Sequence, residues 1–460
     1  MNVRNYTFPS EFLQRIRIQL GDEEAEQLQA SLSEVPQVAI RLHPWKGRRS
    51  DLPPGAEPVP WAPDEGFYLT HRPAFVLDPL WHAGAYYVQD ASSMFIPYLL
   101  PPSGPLNILD FAAAPGGKST HLLSYISQHG GTLTANEPEA SRFPTLLENL
   151  ARWGIASKII TRGWPSDWQG CPPIFDVVLV DAPCSGEGMF RKLPASRTEW
   201  SLRRVVACSR TQRDILSVAI QLVRPGGLLI YSTCTFSPEE NEEQVRWIYD
   251  VFGAIIRPHF REVPPDWGIV VDSVLTSKGE HPIYKFYPHR VRGEGLTVTA
   301  FVVNGSFPRR SQRNYSLRQF PCPSSWPIPR AVCIQMNCEI RAIPDETFRH
   351  LQQLPILRHM EAGVGIARSN RKTIRPHPEW PFSQGAYSPH SHPVVPLDYK
   401  SALQYLQGHP LPLPPNMQVR QSTWVLLAYQ QRFLGWGKAL PSGRINNAYP
   451  PKWRIRKPIS

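Results

Sequence analysis

Between residues 70 and 305, short apolar runs alternate with stretches of helical spacing, and this alternation restricts the fold more than any other feature of the chain. The runs are LNILDF (106–111), GTLTANE (131–137), SKIITRG (157–163), FDVVLVDA (175–182), GLLIYSTC (227–234) and LTVTAFVV (296–303). SRFPTLLENLARW, RTQRDILSVAIQLV and NEEQVRWIYDVF lie among them, with apolar residues recurring every three or four positions. Strands separated by helices are joined by crossovers, which make a parallel sheet covered on both faces. An α/β fold is therefore expected over 71–305.

The flanks read differently. Residues 5–35 carry two short helical patterns, then the strand-like VAIRLHPW and a proline-rich stretch, so residues 1–70 are expected to form a small N-terminal cap. Residues 306–375 mix short apolar stretches with Arg and are expected to connect to a last unit at 376–460. That unit opens with the loop-like RPHPEWPFSQGAYSPHSHPVV (375–395), continues with QSTWVLLAYQQRFLGWGKAL, which reads as a β-hairpin, and ends in the basic INNAYPPKWRIR.

Charge is unevenly distributed over these parts. The whole chain carries +11, but residues 301–460 hold 21 Lys/Arg against 6 Asp/Glu, a net of +15. The remainder has 28 against 32, a net of −4. A basic segment beside a near-neutral one fits a polyanionic partner, because each cation that neutralises a phosphate releases a counterion. MNVRNYTFPSEF has no basic stretch followed by an apolar run, so it does not read as a signal peptide, and no stretch approaches the ~18 apolar residues of a membrane span. The seven cysteines form no CxxC pair, which argues against a zinc ribbon, and no metal is expected. These features lead to the expectation of a soluble, reduced, cytoplasmic monomer that binds no membrane.

Three motifs carry chemistry. Asp110-Phe111-Ala112-Ala113-Ala114-Pro115-Gly116-Gly117-Lys118-Ser119 follows a strand and opens a helix, where glycines admit a ligand to the backbone. It matches neither GxGxxG nor GxxxxGK[ST], so dinucleotide and P-loop readings fall away. Glu137 ends the next strand, where an acid can accept from ribose hydroxyls. Asp181-Ala182-Pro183-Cys184 and Ser232-Thr233-Cys234 end two further strands, placing two cysteines beside the ligand turn. A single cysteine is usually structural. Two at neighbouring strand ends point to covalent chemistry.

The combination DFAAAPGGKS, FDVVLVDAPCSGEG, RPGG and YSTCTFSPEENE resembles the Sun/NSUN family of RNA cytosine-C5 methyltransferases, most closely its RsmF type, which acts on small-subunit rRNA. QDASSM (89–94) and YPHRVRGEG extend the resemblance, and GWGKALPSGRINNAYPPKWR is similar to the family's C-terminal RNA-binding, PUA-like domain. The resemblance implies a Rossmann-like S-adenosylmethionine-dependent domain acting on RNA, 16S rRNA in particular. It places Ala112, Ala113, Ala114, Pro115, Gly116, Gly117 and Lys118 around the methionine part of the cofactor and Glu137 on its ribose. Asp181 would lie near both cofactor and cytosine, Cys234 would be the nucleophile and Cys184 would help resolve the adduct, with Lys118 also in the catalytic set. The chain departs from the family after the third strand, where Thr161-Arg162-Gly163-Trp164-Pro165-Ser166-Asp167 replaces an acid near the adenine. Stacking on Trp164, or Asp167 reaching back, would compensate. A second departure is LTVT after GEG, in place of the usual aromatic pair. Phe190 is a candidate to stack on the target base. A DNA cytosine methyltransferase would use the Pro-Cys cysteine and a Glu-Asn-Val motif that this chain lacks. A non-catalytic RNA-binding factor would have no need of both cysteines, Asp181 and Lys118.

Overall fold

Two helices, α1 (Ser10–Leu20) and α2 (Asp22–Ser31), meet at Gly21, whose φ of +81° makes the sharp junction. Their apolar faces, Phe12, Ile16 and Leu28 among them, pack on Phe190 and Trp200, so the helices rest on the catalytic part of the chain. The structure is a computed structural model that describes residues 6–456 except 306, 308–318, 323–327, 329, 337, 356, 370–373 and 389–391. Parts of the expected connecting stretch and of the loop-like run at 375–395 thus lie outside the described residues.

A four-stranded antiparallel sheet follows: β1 (Val38–Leu42), β2 (Glu57–Pro58), β3 (Gly66–Leu69) and β4 (Tyr86–Val88), in the order β2-β3-β1-β4. The short helix α3 (Pro79–His82) precedes β4. This sheet runs past residue 70, the boundary expected for the cap, because β4 pairs with β1.

The expected alternation then appears in full. β5 (Leu106–Asp110), α4 (Gly117–His129), β6 (Gly131–Asn136), α5 (Phe143–Trp153), β7 (Lys158–Arg162), β8 (Phe175–Asp181), α6 (Ser196–Glu199), α7 (Leu202–Leu222), β9 (Val223–Thr233) and α8 (Glu242–Phe252) follow in order. The strands pair in parallel as β7-β6-β5-β8-β9. Leu122 and Leu146 of α4 and α5 close one face, and Leu216 and Ile248 of α7 and α8 close the other. Strand order reverses between β5 and β8, and the crevice outside the carboxyl ends of strands at such a switch point is where open α/β sheets bind ligands.

Beyond β9 the chain turns antiparallel through β10 (Ile256–Pro258), β11 (Val270–Thr276), β12 (Gly279–Phe286) and β13 (Leu296–Val303). LTVTAFVV is a strand as expected, but it runs against β9. The hairpin of β11 and β12 gave no signal in the sequence: β11 is a half-exposed edge strand and β12 carries Pro282, so neither shows clean alternation.

The C-terminal part is bound into this core. β14 (Gln319–Pro321), β15 (Ala331–Met336), β16 (Glu339–Pro344), β18 (Val364–Ser369) and β19 (Ile374–Pro376) form a sheet, with α9 (Asp345–Leu351) and β17 (His359–Ala362) inserted before β18. β17 leaves that sheet to pair with β7 at the far edge of the central parallel sheet. Lys158 at the start of β7 is fully buried, its Nζ 2.8 Å from Glu379 Oε1, and Arg341 Nη2 holds the other oxygen of Glu379 at 2.9 Å. Cys322 and Cys333 are joined as a disulfide, which corrects the reading of all seven cysteines as reduced thiols. The last sheet contains β20 (Val394–Leu397), β21 (Leu411–Pro412), β22 (Thr423–Tyr429), β23 (Arg432–Leu440) and β24 (Arg444–Asn447), with α10 (Tyr399–Gln407) packed beside it. The expected hairpin is β22–β23, and its two-residue turn puts Gln430 and Gln431 at positive φ, as twisted hairpins require. Among the described residues, no helix is long and apolar enough to cross a membrane.

Candidate active site

The glycine turn between β5 and α4 is fixed by backbone bonds to its neighbours. Phe111 N donates to Leu179 O on β8, and Ala113 N donates to Asn136 O on β6. Gly116 sits at φ +110°, a conformation that side chains resist, and lets the chain enter α4. Glu137 is buried just past β6 and accepts from Ala114 N (3.1 Å) and Glu139 N (3.0 Å). Arg142 closes over the same loop, donating to Ala114 O and lying 3.7 Å from Glu137 Oε2.

These residues surround a cavity of about 390 Å³, a size usual for small-molecule sites. Its walls include Asp110, Ala112 to Pro115, Gly117, Lys118, Asp181 and Cys234, so the switch-point crevice unites the turn, the acid after β8 and one of the two cysteines. Asp110 Oδ1 is buried without a hydrogen-bond partner, while Oδ2 accepts from Ser119 Oγ at 2.6 Å. Burial pushes the Asp110 carboxyl up to about 7. An unpartnered carboxyl oxygen beside a glycine turn and free helix-terminal amides fits a ligand that carries both a cationic amine and a carboxylate.

At the chemical end, Lys118 Nζ donates to Asp181 Oδ2 at 2.8 Å and Ser232 Oγ donates to Asp181 Oδ1 at 2.8 Å. Burial pulls the Lys118 ammonium towards losing its proton, but attraction to Asp181 and the hydrogen bond between them outweigh it and hold the proton more tightly than usual. β8 and β9 are adjacent, so the loops at their ends bring Cys184 and Cys234 together, Sγ to Sγ 3.2 Å. Cys234 lines the cavity, and Cys184 sits behind it. Hydrogen bonding to Cys234, followed by burial, raises the Cys184 thiol well above its ordinary range. Cys184 is therefore held as a neutral thiol.

Several participants went unread in the sequence. Arg142 carries no motif of its own, and Ser232 lies in the Ser232-Thr233-Cys234 motif but was given no role there. Glu240 lies fully buried behind Cys184, accepting from Ser185 N (3.0 Å) and Gln212 Nε2 (2.8 Å), and burial lifts its carboxyl to about 7. Two sequence expectations change. Phe190 is fully buried against Phe8 and Phe12, so it cannot stack on a base. Trp164 is 44% exposed, Asp167 Oδ2 accepts from its backbone N, and neither residue lines the cavity. Among the described residues, no group of three or more His, Cys, Asp or Glu is placed to hold a metal.

A parallel β7-β6-β5-β8-β9 sheet with a reversed strand beside β9 and a glycine turn at its switch point defines a Rossmann-like methyltransferase. The solved NSun6 from Pyrococcus horikoshii with SFG has this fold, at a TM-score of 0.54 and 21% identity over 65% of this chain and 99% of that one. A methyltransferase homologue from the same organism superposes with a TM-score of 0.54 at 26% identity, over 65% of this chain and 96% of that one. The chain belongs to the 16S rRNA methyltransferase RsmB/F family, which residues 97–302 match. Residues 8–91 match the N-terminal domain of 16S rRNA methyltransferase RsmF, and residues 392–455 match the methyltransferase RsmF PUA domain. It is 30% identical over 428 residues to ribosomal RNA small subunit methyltransferase F of Pectobacterium atrosepticum, covering 86% of this chain and 83% of that protein. The protein of the same name from Salmonella arizonae is 30% identical over 417 residues, with 85% and 84% covered.

Proposed function

We propose that this chain methylates carbon 5 of a cytosine in 16S ribosomal RNA, using S-adenosylmethionine, with Cys234 as the nucleophile. The observation that carries the reading is the placement of Cys234 in one cavity with the glycine turn and the Lys118–Asp181 pair, while Cys184 Sγ stands 3.2 Å behind it. The cofactor supplies an electrophilic methyl group. Ala112 to Lys118 would cradle its amino-acid end, with Asp110 facing the amine, and Glu137 would hold its ribose.

Carbon 5 of cytosine is a poor nucleophile until a thiolate adds to carbon 6. The Cys234 sulfur forms the bond to carbon 6, and the electrons of the ring double bond move to carbon 5, N3 and O2. Both Asp181 oxygens accept hydrogen bonds, so the proton that steadies N3 is held on Lys118 and delivered through Asp181. Carbon 5 would then take the methyl group that the bound cofactor supplies, the bonding pair staying on the cofactor's sulfur. A base afterwards removes the carbon 5 proton, that C–H pair restores the ring double bond as the Cys234–carbon 6 bond breaks with its electron pair on sulfur, and N3 returns its proton to the Lys118–Asp181 pair. Cys184, or a base it helps, serves this release. Flipping the cytosine out of its helix brings it to the crevice.

Residues 71–305 do the chemistry in this reading, 1–70 cap it, 306–375 connect, and 376–460 bind RNA with their basic surface. Action as a monomer in the cytoplasm belongs to the same reading. Bisulfite sequencing of small-subunit rRNA from a strain lacking the gene tests the reading. Loss of one or more protected cytosines, restored by the purified protein, is expected. An unchanged pattern would overturn it.

A further inference from the structure

Two hollows flank the mouth of the catalytic cavity along the N-terminal sheet. One, of about 490 Å³, is bounded by Arg72, Phe75, Trp81 and Tyr87. The other, of about 630 Å³, is bounded by Val35, His71, Arg72, Lys192 and Leu193. Both share Val88 with the catalytic cavity; Tyr87 also belongs to the first hollow and the cavity, and Lys192 to the second and the cavity. The three adjoining spaces make one trough, with Cys234 in the catalytic cavity and Arg72 where the two hollows meet.

We infer that this trough holds the single-stranded RNA on either side of the target cytosine, with Arg72 and Lys192 on its phosphates; the inference rests on the proposed function and assigns the substrate's path. The walls offer what single strands need. Val35 and Leu193 are large exposed apolar side chains at 88% and 56%, and Trp81 and Tyr87 are half-buried aromatic rings on the walls. Arg72 and Lys192 are exposed, and among the described residues neither is in an ion pair. Nearby cations are already committed: Arg191 to Glu294 and Arg292 to Glu57. Four acids line the trough: Asp110 accepts from Ser119, Asp181 is paired with Lys118, and Asp90 and Glu294 are the other two. Asp90 accepts from Glu294 N and Ser93 N, and the Glu294 carboxylate is bound by Arg191. Arg72 and Lys192 are thus the trough's exposed cations that no carboxylate pairs. Exposed apolar side chains beside unpaired cations fit an unpaired strand, whose bases are free to lie on the walls while its phosphates meet the charge.

The test measures binding of the full chain to a labelled single-stranded RNA with a central cytosine, over a salt series, and S-adenosylmethionine affinity in parallel. Arg72→Ala and Lys192→Ala are each expected to reduce the slope of log affinity against log salt by about 0.7, the share of one phosphate on a single strand. Arg72→Lys should restore the slope, because charge alone is required, and Arg72→Ala should keep the cofactor affinity of the parent. Unchanged slopes in both alanine variants would overturn the trough. If the parent protein binds the strand with these slopes but methylates no small-subunit rRNA, the proposed function fails and the trough stands.

Discussion

Lys118 Nζ donates to Asp181 Oδ2 at 2.8 Å, across the crevice that opens between the carboxyl ends of β5 and β8. The pair joins the cofactor turn to the cysteine loops: Lys118 is the second residue of α4, and Asp181 is also held by Ser232, two residues before Cys234. One proton-bearing group and one acceptor therefore lie beside the nucleophile without a histidine.

Removing that proton should damage chemistry more than binding. Lys118→Met is expected to lower kcat by roughly 10²–10⁴-fold, the range for a positioned acid or base, with a much smaller change in RNA affinity. Single-turnover methylation at saturating RNA checks it. A loss confined to KM would make Lys118 a binding residue only.

Glu137 reaches the cofactor loop through Ala114 N and its own helix entry through Glu139 N. Glu137→Gln keeps the size and removes the charge. Calorimetry should show S-adenosylmethionine affinity weakened about 10- to 100-fold, the value of a hydrogen bond to a charged group. An unchanged circular dichroism melt separates this from unfolding. Unaltered affinity would remove Glu137 from the ribose site.

Asp110 and Glu240 give the apo protein a pH signature. Burial raises both to about 7, above the ~4 of an unfolded carboxyl, so the fold favours their protonated forms. The stability they contribute is complete below about pH 4 and is lost as pH rises through about 7. The thermal midpoint of the Asp110→Asn, Glu240→Gln double variant should therefore fall less than the parent's between about pH 5 and pH 8. Parallel curves would show that neither carboxyl is held neutral.

The C-terminal region is a structural partner of the catalytic sheet as well as a basic surface. Glu379→Ala leaves Lys158 buried beside Arg341 without its carboxylate, and breaking a buried pair in this way costs about 3–5 kcal/mol. Urea unfolding should report that loss; a change below about 1 kcal/mol would show that water relieves the charge. Deleting the tail from residue 306 would strip β17 from β7, so its RNA contribution is better read from Arg420→Ala and Arg444→Ala, both on exposed positions.

Much of this was legible because it rests on local pattern. The five parallel strands are apolar runs bounded by turns, and the cysteines and Asp181 mark the ends of two of them. Long-range partnerships left no such trace. Nothing around His359–Ala362 says that it will pair with Lys158–Arg162, and β11 is an exposed edge. Arg142 and Ser232 act through positions that only the folded sheet creates. Phe190 was ambiguous because an aromatic beside a reactive loop can face the ligand or the core; α1 supplies the ring that covers it.

The measurement nearest to the central claim is the trapping of the enzyme–RNA adduct in cysteine variants, read as a slowly migrating band on a denaturing gel. Cys234→Ala should be inactive and give no band, since nothing adds to carbon 6. Cys184→Ala should add and methylate, then stall without the group that helps resolve the adduct, and so accumulate the band. The double variant should show none. A band in Cys234→Ala with none in Cys184→Ala would reverse the roles, and full activity in Cys234→Ala would contradict covalent catalysis at this site.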